Sequence, residues 1–394
     1  MTHDLKDVIR KETARYSERL RKIASSLHEH PEISSREYQT AELLASELAA
    51  EGFAVERKAG GLDTAFVASY INNPKAPAIG LLAEFDALPE IGHACGHNLI
   101  AAASLGAAMV LKKVLPPELV NLKVFGTPAE ETSGGKLPML EQGVFSDTDV
   151  LMMFHPHTVT CGLRPCIGRT SLAFEFFGKS VHASTYPDRG INALDAVILT
   201  FNNINALRQQ LRDGTRVHGI ITDGGKLPNI IPDHARAEFF VRSSSKPYME
   251  EIAQRVISCA QAGAKATGAE LKISHPLPVY LPDIPVDSLI ECFEENLREL
   301  GLAVDKLEPP LRMGSSDFGN VSQVIPSVMG FIKIAEEGTA THSRQFAEAA
   351  ISERGILGML NAVSALSMTA ADILTVPGLL EKIRQDYKDR VVRA

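Results

Sequence analysis

The chain predicts an α/β fold with a mostly parallel sheet, interrupted by an inserted α+β domain. Two observations carry this. Short apolar runs alternate with helical stretches at both ends of the chain, the pattern of a parallel sheet. From about Arg169 the pattern switches to strands of alternating polarity separated by polar-faced helices, in a β-α-β-β-α-β, ferredoxin-like order.

Taken in order, residues 4–50 read as helix broken near Pro31, with Leu43, Leu44 and Leu48 at helical spacing. Apolar runs at 78–83, 122–126 and 150–154 read as buried strands. Between the first two, residues 99–115 form a small-residue helix stopped by Pro116 and Pro117. In the insert, 171–177 alternates as a strand, 192–212 is a helix, 235–242 alternates again, 248–267 is a helix and 271–275 a last strand. The Pro-rich segment 276–285 reads as a return linker, and the tail resumes helix and strand, ending in a charged helix. The expected domains are therefore 1–170 with 284–394, and the insert 171–283.

With 394 residues, 45% of them hydrophobic, the chain can bury a full core. A formal charge of −8 with scattered Lys and Arg argues against nucleic acid as a partner. The apolar stretch 100–114 is too short and Ala-rich to span a bilayer, and residues 1–20 are too charged for a signal peptide. No membrane association and a cytoplasmic location are expected. The five cysteines are odd in number and dispersed, unlike a disulfide framework. Cys161 and Cys166 are close enough for a redox pair but lack a flanking motif.

Chemistry-bearing residues cluster just after the predicted strands, where α/β folds place their sites. Cys95 and His97, one glycine apart, can turn toward one point, and thiolate with imidazole suits zinc and its neighbours. Alone, C-x-H recurs often by chance. Glu130 and Glu131 follow the second run. Adjacent carboxylates usually mean solvent exposure; the functional alternative is that one ligates a metal while the other moves a proton. His155 and His157 end the run 150–154, and His342 follows the apolar strand 326–334; each alone also reads as structural. Four strand ends bearing soft or carboxylate ligands together are hard to assemble by accident, and paired metals need several such ligands.

These residues, with Leu27-His28-Glu29-His30-Pro31-Glu32, Phe85-Asp86-Ala87-Leu88-Pro89, His93-Ala94-Cys95-Gly96-His97, Val181-His182-Ala183, Asn229-Ile230-Ile231-Pro232-Asp233 and Ser315-Ser316-Asp317-Phe318-Gly319, resemble the M20 metallopeptidase family, amidohydrolase branch, over nearly the whole chain. Asn98 after the histidine is closest to the subgroup of M20 domain-containing protein 2 and the aminobenzoyl-glutamate hydrolases; auxin-conjugate hydrolases usually carry Asp there. The resemblance implies a catalytic domain with a di-metal site and an insert acting as lid and dimerisation domain. It implies two divalent metal ions, zinc or manganese, with cobalt or nickel also accepted. Cys95 would sit between them, with His97, Glu131, His155 and His342 as further ligands, Glu130 as general base and Asp86 orienting the ligands.

In the insert, His182 would stabilise the oxyanion in a partner subunit's site, and Asn229 and Arg242 would hold the substrate. Read without the resemblance, these three are more readily a turn residue, a cap and a strand-end charge. The roles of His93 and His157 stay open. The implied activity is hydrolysis of an N-acyl amino acid, dipeptide or aminobenzoyl-glutamate-like small molecule by a homodimer. A metal-binding relative without turnover and an aminopeptidase are the alternatives. An intact Glu130 beside all five ligands counts against the first, and the second needs an anchor for the substrate ammonium.

Overall fold

A computed structural model describes residues 2–307 and 313–393. The chain divides into two compact units: Met1–Pro165 with Ile284–Met313 and Asn320–Ala394, and Cys166–Asp283 with Gly314–Gly319. The first crossover thus falls a few residues before the expected 170/171, and 314–319, read from sequence as part of the outer domain, belongs to the second unit.

The first unit begins with helices α1 (Thr2–Glu29) and α2 (Tyr38–Ala50) and strands β1 (Ala54–Arg57), β2 (Phe66–Tyr70) and β3 (Ala78–Glu84). It continues through α3 (His97–Val114), β4 (Asn121–Thr127), α4 (Lys136–Glu141) and β5 (Val150–His157). Its six-stranded sheet has the order β1-β2-β4-β3-β5, ending in a strand from the chain's last third, Ser327–Lys333. β4, β3, β5 and that last strand are parallel, while β1 and β2 add an antiparallel edge. Every residue of β3 is buried, as is the 150–154 stretch of β5. Helices cover both faces of such strands, which is why they read as unbroken apolar runs. β1 escaped the sequence reading for the converse reason: it is mostly exposed and only four residues long.

The second unit contains β6 (Gly168–Phe177), α5 (Ala193–Leu207), β7 (Arg216–Asp223), β8 (His234–Ser243), α6 (Lys246–Thr267) and β9 (Glu270–Ser274). The sheet order is β7-β8-β6-β9, antiparallel throughout. Phe174, Phe176, Phe239, Ile252 and Val256 fill the core between sheet and helices. The helix expected over 192–212 is shorter: the Asn192 side chain caps its start by accepting the amides of Leu194 and Asp195, and it gives way to a 3-10 turn at Arg208–Gln210. The Pro-rich return segment is not a free linker, because Tyr280 and Arg169 exchange backbone hydrogen bonds of 2.8 and 3.0 Å.

The first unit closes with α7 (Asp287–Glu299), α8 (Phe318–Ser322, its first two residues in the second unit), β10 (Ser327–Lys333), α9 (Arg344–Ala349), α10 (Glu353–Thr375) and α11 (Leu379–Arg393). α10 is long and apolar enough to cross a bilayer by composition, exceeding the 100–114 stretch, but it is mostly buried and packs on α1 and α3. All five cysteines are free.

Candidate metal centre

Four parallel strands end on one edge of the first unit's sheet, and each is followed by a candidate ligand. β3 leads to Cys95 and His97, β4 to Glu130 and Glu131, β5 carries His155 at its end, and β10 leads to His342. This edge is where unpaired strand ends and loops expose functional groups in such folds.

Gly96 makes the first step possible. It adopts φ +80°, and a Cβ there would lie 2.4 Å from Pro156 Cγ. With no side chain, it turns the chain between Cys95 and the first residue of α3, so thiol and imidazole share one side. His97 Nδ1 lies 2.8 Å from the Asp86 carbonyl and 3.2 Å from Asp86 Oδ1. Nδ1 therefore carries a proton, and Nε2 is left buried without a hydrogen-bond partner. His155 is oriented in the same sense: Nδ1 donates to the Pro156 carbonyl at 2.8 Å and Nε2 lies 3.5 Å from Cys95 Sγ. Each ring turns its Nε2 to the same space, the orientation a metal requires.

His342 is placed by its backbone, in the left-handed region at φ 60°, with its amide donating to the Ala94 carbonyl at 3.0 Å. Its Nε2 stands 3.3 Å from Glu131 Oε1, which is 3.9 Å from His97 Nε2. The donor atoms form overlapping triads, each within 4.8 Å: Cys95 with His97 and His155, Cys95 with Glu131 and His342, and His97 with Glu130 and Glu131. Six of the residues singled out from sequence thus converge. Asp86 lies behind them, accepting the Ser34 hydroxyl at 2.7 Å and the amides of Glu130 and Glu131 at 3.2 and 3.1 Å.

The protonation pattern fits a cation site. Burial, then the Glu131 carboxylate, pushes the Cys95 thiol far up. Burial would lower His97, but Cys95 and Asp86 hold it well above the usual imidazole range. Burial pulls His155 down to about 4, leaving it neutral. A cation would displace the protons that burial and the neighbouring charges keep on the Cys95 thiol and the His97 ring, while His155 is already neutral and Glu131 already ionised, so binding would release protons.

Three residues were given no role from sequence. Glu84, at the end of β3, pairs with Lys136 at 2.6 Å, both buried, and its second oxygen faces His97 Nε2 at 3.5 Å. Glu37, fully buried, reaches the turn before Glu130. Only Glu84 had a signal, a carboxylate within an otherwise apolar strand; Lys136 and Glu37 lie in charged stretches that look solvated. Of the open histidines, His93 is buried and held near 3 by burial and then His97. His157 is half-buried: its Nε2 accepts from Arg164, its ring meets Phe331 edge-on, and burial with that cation holds it near 3.

The second unit holds the remaining candidates. His182 is exposed, and its Nδ1 accepts the Ser184 amide at 3.3 Å, which leaves Nε2–H as an outward donor. The Ala183 amide donates to the Asn229 carbonyl at 2.9 Å, so His182 and Asn229 lie on paired segments. Arg242, half-buried on β8, donates to Ser315 Oγ at 2.9 Å and to His218 Nε2 at 3.2 Å. Burial, then Arg169, lowers its pKa.

Known proteins resemble this chain in sequence and fold. The model of Peptidase family M20/M25/M40 matches residues 79–356. The Xaa-Arg dipeptidase of Mus musculus is 36% identical over 387 residues, covering 94% of this chain and 89% of its own length. One of the p-aminobenzoyl-glutamate hydrolase subunits of Escherichia coli is 27% identical, covering 97% and 94%. Among solved structures, a dinuclear metal-binding peptidase of the M20 family from Bacillus subtilis superposes with a TM-score of 0.66 at 21% identity, covering 89% of this chain and 98% of that one.

Proposed function

The chain belongs to Peptidase family M20/M25/M40 and is a metal-dependent hydrolase of amide bonds, and we propose that its substrate is a dipeptide or N-acyl amino acid. Two divalent cations would be held by Cys95, His97, Glu131, His155 and His342. The observation that carries this is the pair of donor triads sharing Cys95, with the His97 and His155 N–H groups tied away from it. Thiolate and imidazole favour zinc, with manganese next and cobalt or nickel as substitutes.

When bound, the cations would polarise the scissile carbonyl and make water nucleophilic at neutral pH. The chain's own residues do the rest. Glu130, its amide fixed on Asp86 and its carboxylate beside His97 and Glu131, takes the proton from the attacking water and returns it to the leaving amine. Asp86 holds the His97 tautomer. The second unit is read as a lid and dimerisation domain. In support, β7 is an open sheet edge with Ile220 and Ile221 exposed, and the His182 Nε2–H is available as an oxyanion donor for a second copy. Asn229 and Arg242 would hold the substrate.

The higher identity to the dipeptidase ranks Xaa-Arg dipeptides ahead of p-aminobenzoyl-glutamate. Metal-replete protein should hydrolyse one of the two classes; turnover on neither rejects the substrate reading. Glu130→Gln should keep its metal and lose about 10²–10⁴-fold in kcat, and near-normal turnover would remove it as the base. In the same assay His182→Ala should cost about 10²-fold or more in kcat, with dimerisation checked by light scattering.

A further inference from the structure

The turn carrying Glu130 and Glu131 is held by its backbone. Three consecutive amides, those of Ala129, Glu130 and Glu131, donate to two buried carboxylates: Ala129 to Glu37 Oε1 at 3.0 Å, and the other two to Asp86. Ala129 is a non-glycine residue at φ 58°, a conformation that costs about 1 kcal/mol or more and persists only when its surroundings hold it. Glu37 is fully buried although it lies at the head of α2, in a stretch that otherwise reads as solvated helix. Its Oε1 also accepts the Ser35 amide at 2.8 Å, and its Oε2 accepts the Thr64 hydroxyl at 2.9 Å. Both carboxylates are reached from one loop between α1 and α2, because Ser34, three residues before Glu37, donates to Asp86. The same loop is tied to the end of β3, where the Ala87 amide donates to the Glu32 carbonyl at 2.9 Å.

We propose that Glu37 is a positioning residue for the hydrolytic reaction, clamping the left-handed turn at Ala129 so that the Glu130 carboxylate faces the reacting water. Burying a polar side chain merely to join α1 to α2 would cost free energy, and an apolar side chain would serve that join. The placement of Oε1 on the Ala129 amide gives the burial a purpose. What matters is a hydrogen-bond acceptor at that point, rather than a negative charge. Glutamine supplies the same acceptor at the same reach, and its amide can donate to Thr64, whose hydroxyl rotates to accept. Aspartate keeps the charge but is one methylene short.

The inference rests on Glu130 being the base, so the test pairs kinetics with a readout independent of turnover. Glu37→Gln and Glu37→Asp would be compared at saturating metal, with metal content and Tm measured alongside. Expected is a kcat for Glu37→Gln within about threefold of the parent. Glu37→Asp should lose about 10–100-fold in kcat, as an ångström-scale misplacement does, with KM within twofold and metal content unchanged. Hydrogen exchange at the Ala129 amide should be faster in Glu37→Asp and parent-like in Glu37→Gln.

Parent-like exchange in Glu37→Asp overturns the clamp, whatever Glu130 does. Faster exchange with unchanged kcat overturns its part in turnover, as does a Glu37→Gln variant that loses as much as Glu37→Asp. Failure of the underlying base assignment shows separately, as turnover retained in Glu130→Gln.

Discussion

Two aspartates show how surroundings, not residue type, set a charge. Asp86 is almost wholly buried, which by itself would raise its pKa, yet the His97 ring, the Ser34 hydroxyl and the Glu131 amide bring it down to about 2. Asp283, in the second unit, is half-buried and meets chiefly the Cys166 amide, at 2.8 Å, and burial pushes it up to about 6. A carboxyl raised in the folded state binds its proton more tightly there than in the unfolded chain. Its stabilising contribution is therefore full below about 3.8 and is lost as pH rises through about 6. Asp283→Asn keeps the acceptor for Cys166 and removes the ionisation. The variant should match the parent near pH 4 and exceed it by about 1–3 kcal/mol at pH 7. Thermal melts across pH 4–7 check this, and parallel Tm curves would contradict it.

At the scale of elements, the site is made by the loops and turns that leave the parallel strands rather than by the strands themselves. The link between β3 and α3 is the tightest. Gly96 has a backbone conformation L-residues avoid, and the space where its Cβ would stand is taken by Pro156, next to His155. Gly96→Ala should therefore cost about 1–3 kcal/mol through strain and crowding and lower the metal content, because Cys95 and His97 lie on either side. Calorimetry and metal analysis would show it; a variant with unchanged Tm and full metal would mean the helix start can shift freely. The open-edge strand β7 carries the same lesson as β1: its alternation is weak because most of its residues face solvent. Periodicity finds strands only where one face is dry.

For the first unit as a whole, the proposed cations would act as cross-links. Their donors come from the loop after β3, the start of α3, the turn after β4, the end of β5 and the loop after β10. Anything that binds only the folded state stabilises it, by about 2.7 kcal/mol at a hundredfold excess over Kd. Stripping the metals should lower Tm by several degrees, on the order of 2–4 °C per kcal/mol for a unit of this size, and adding zinc or manganese should restore it. A Tm unmoved by verified metal removal would mean the donors are already fixed without cations.

Much of this was legible along the chain. Apolar runs at β3, β4, β5 and β10 marked the parallel strands, because burial on both faces leaves mostly apolar side chains. Cysteine, histidine and paired glutamates just past those runs marked the site, because few other side chains bind transition metals. Those are local chemical facts, and residue order carries them. Glu37, Ser34 and Lys136 could not be read this way. Each is a polar residue whose meaning depends on being buried against a partner; Ala129 lies 92 positions from Glu37, and Lys136 lies 52 from Glu84. The tautomers of His97 and His155 likewise follow from which carbonyl each Nδ1 meets. Sequence determined which groups are available for the chemistry. Only folding decided which of them are dry, which way their lone pairs point and what holds them, because burial and hydrogen bonding are properties of neighbours in space.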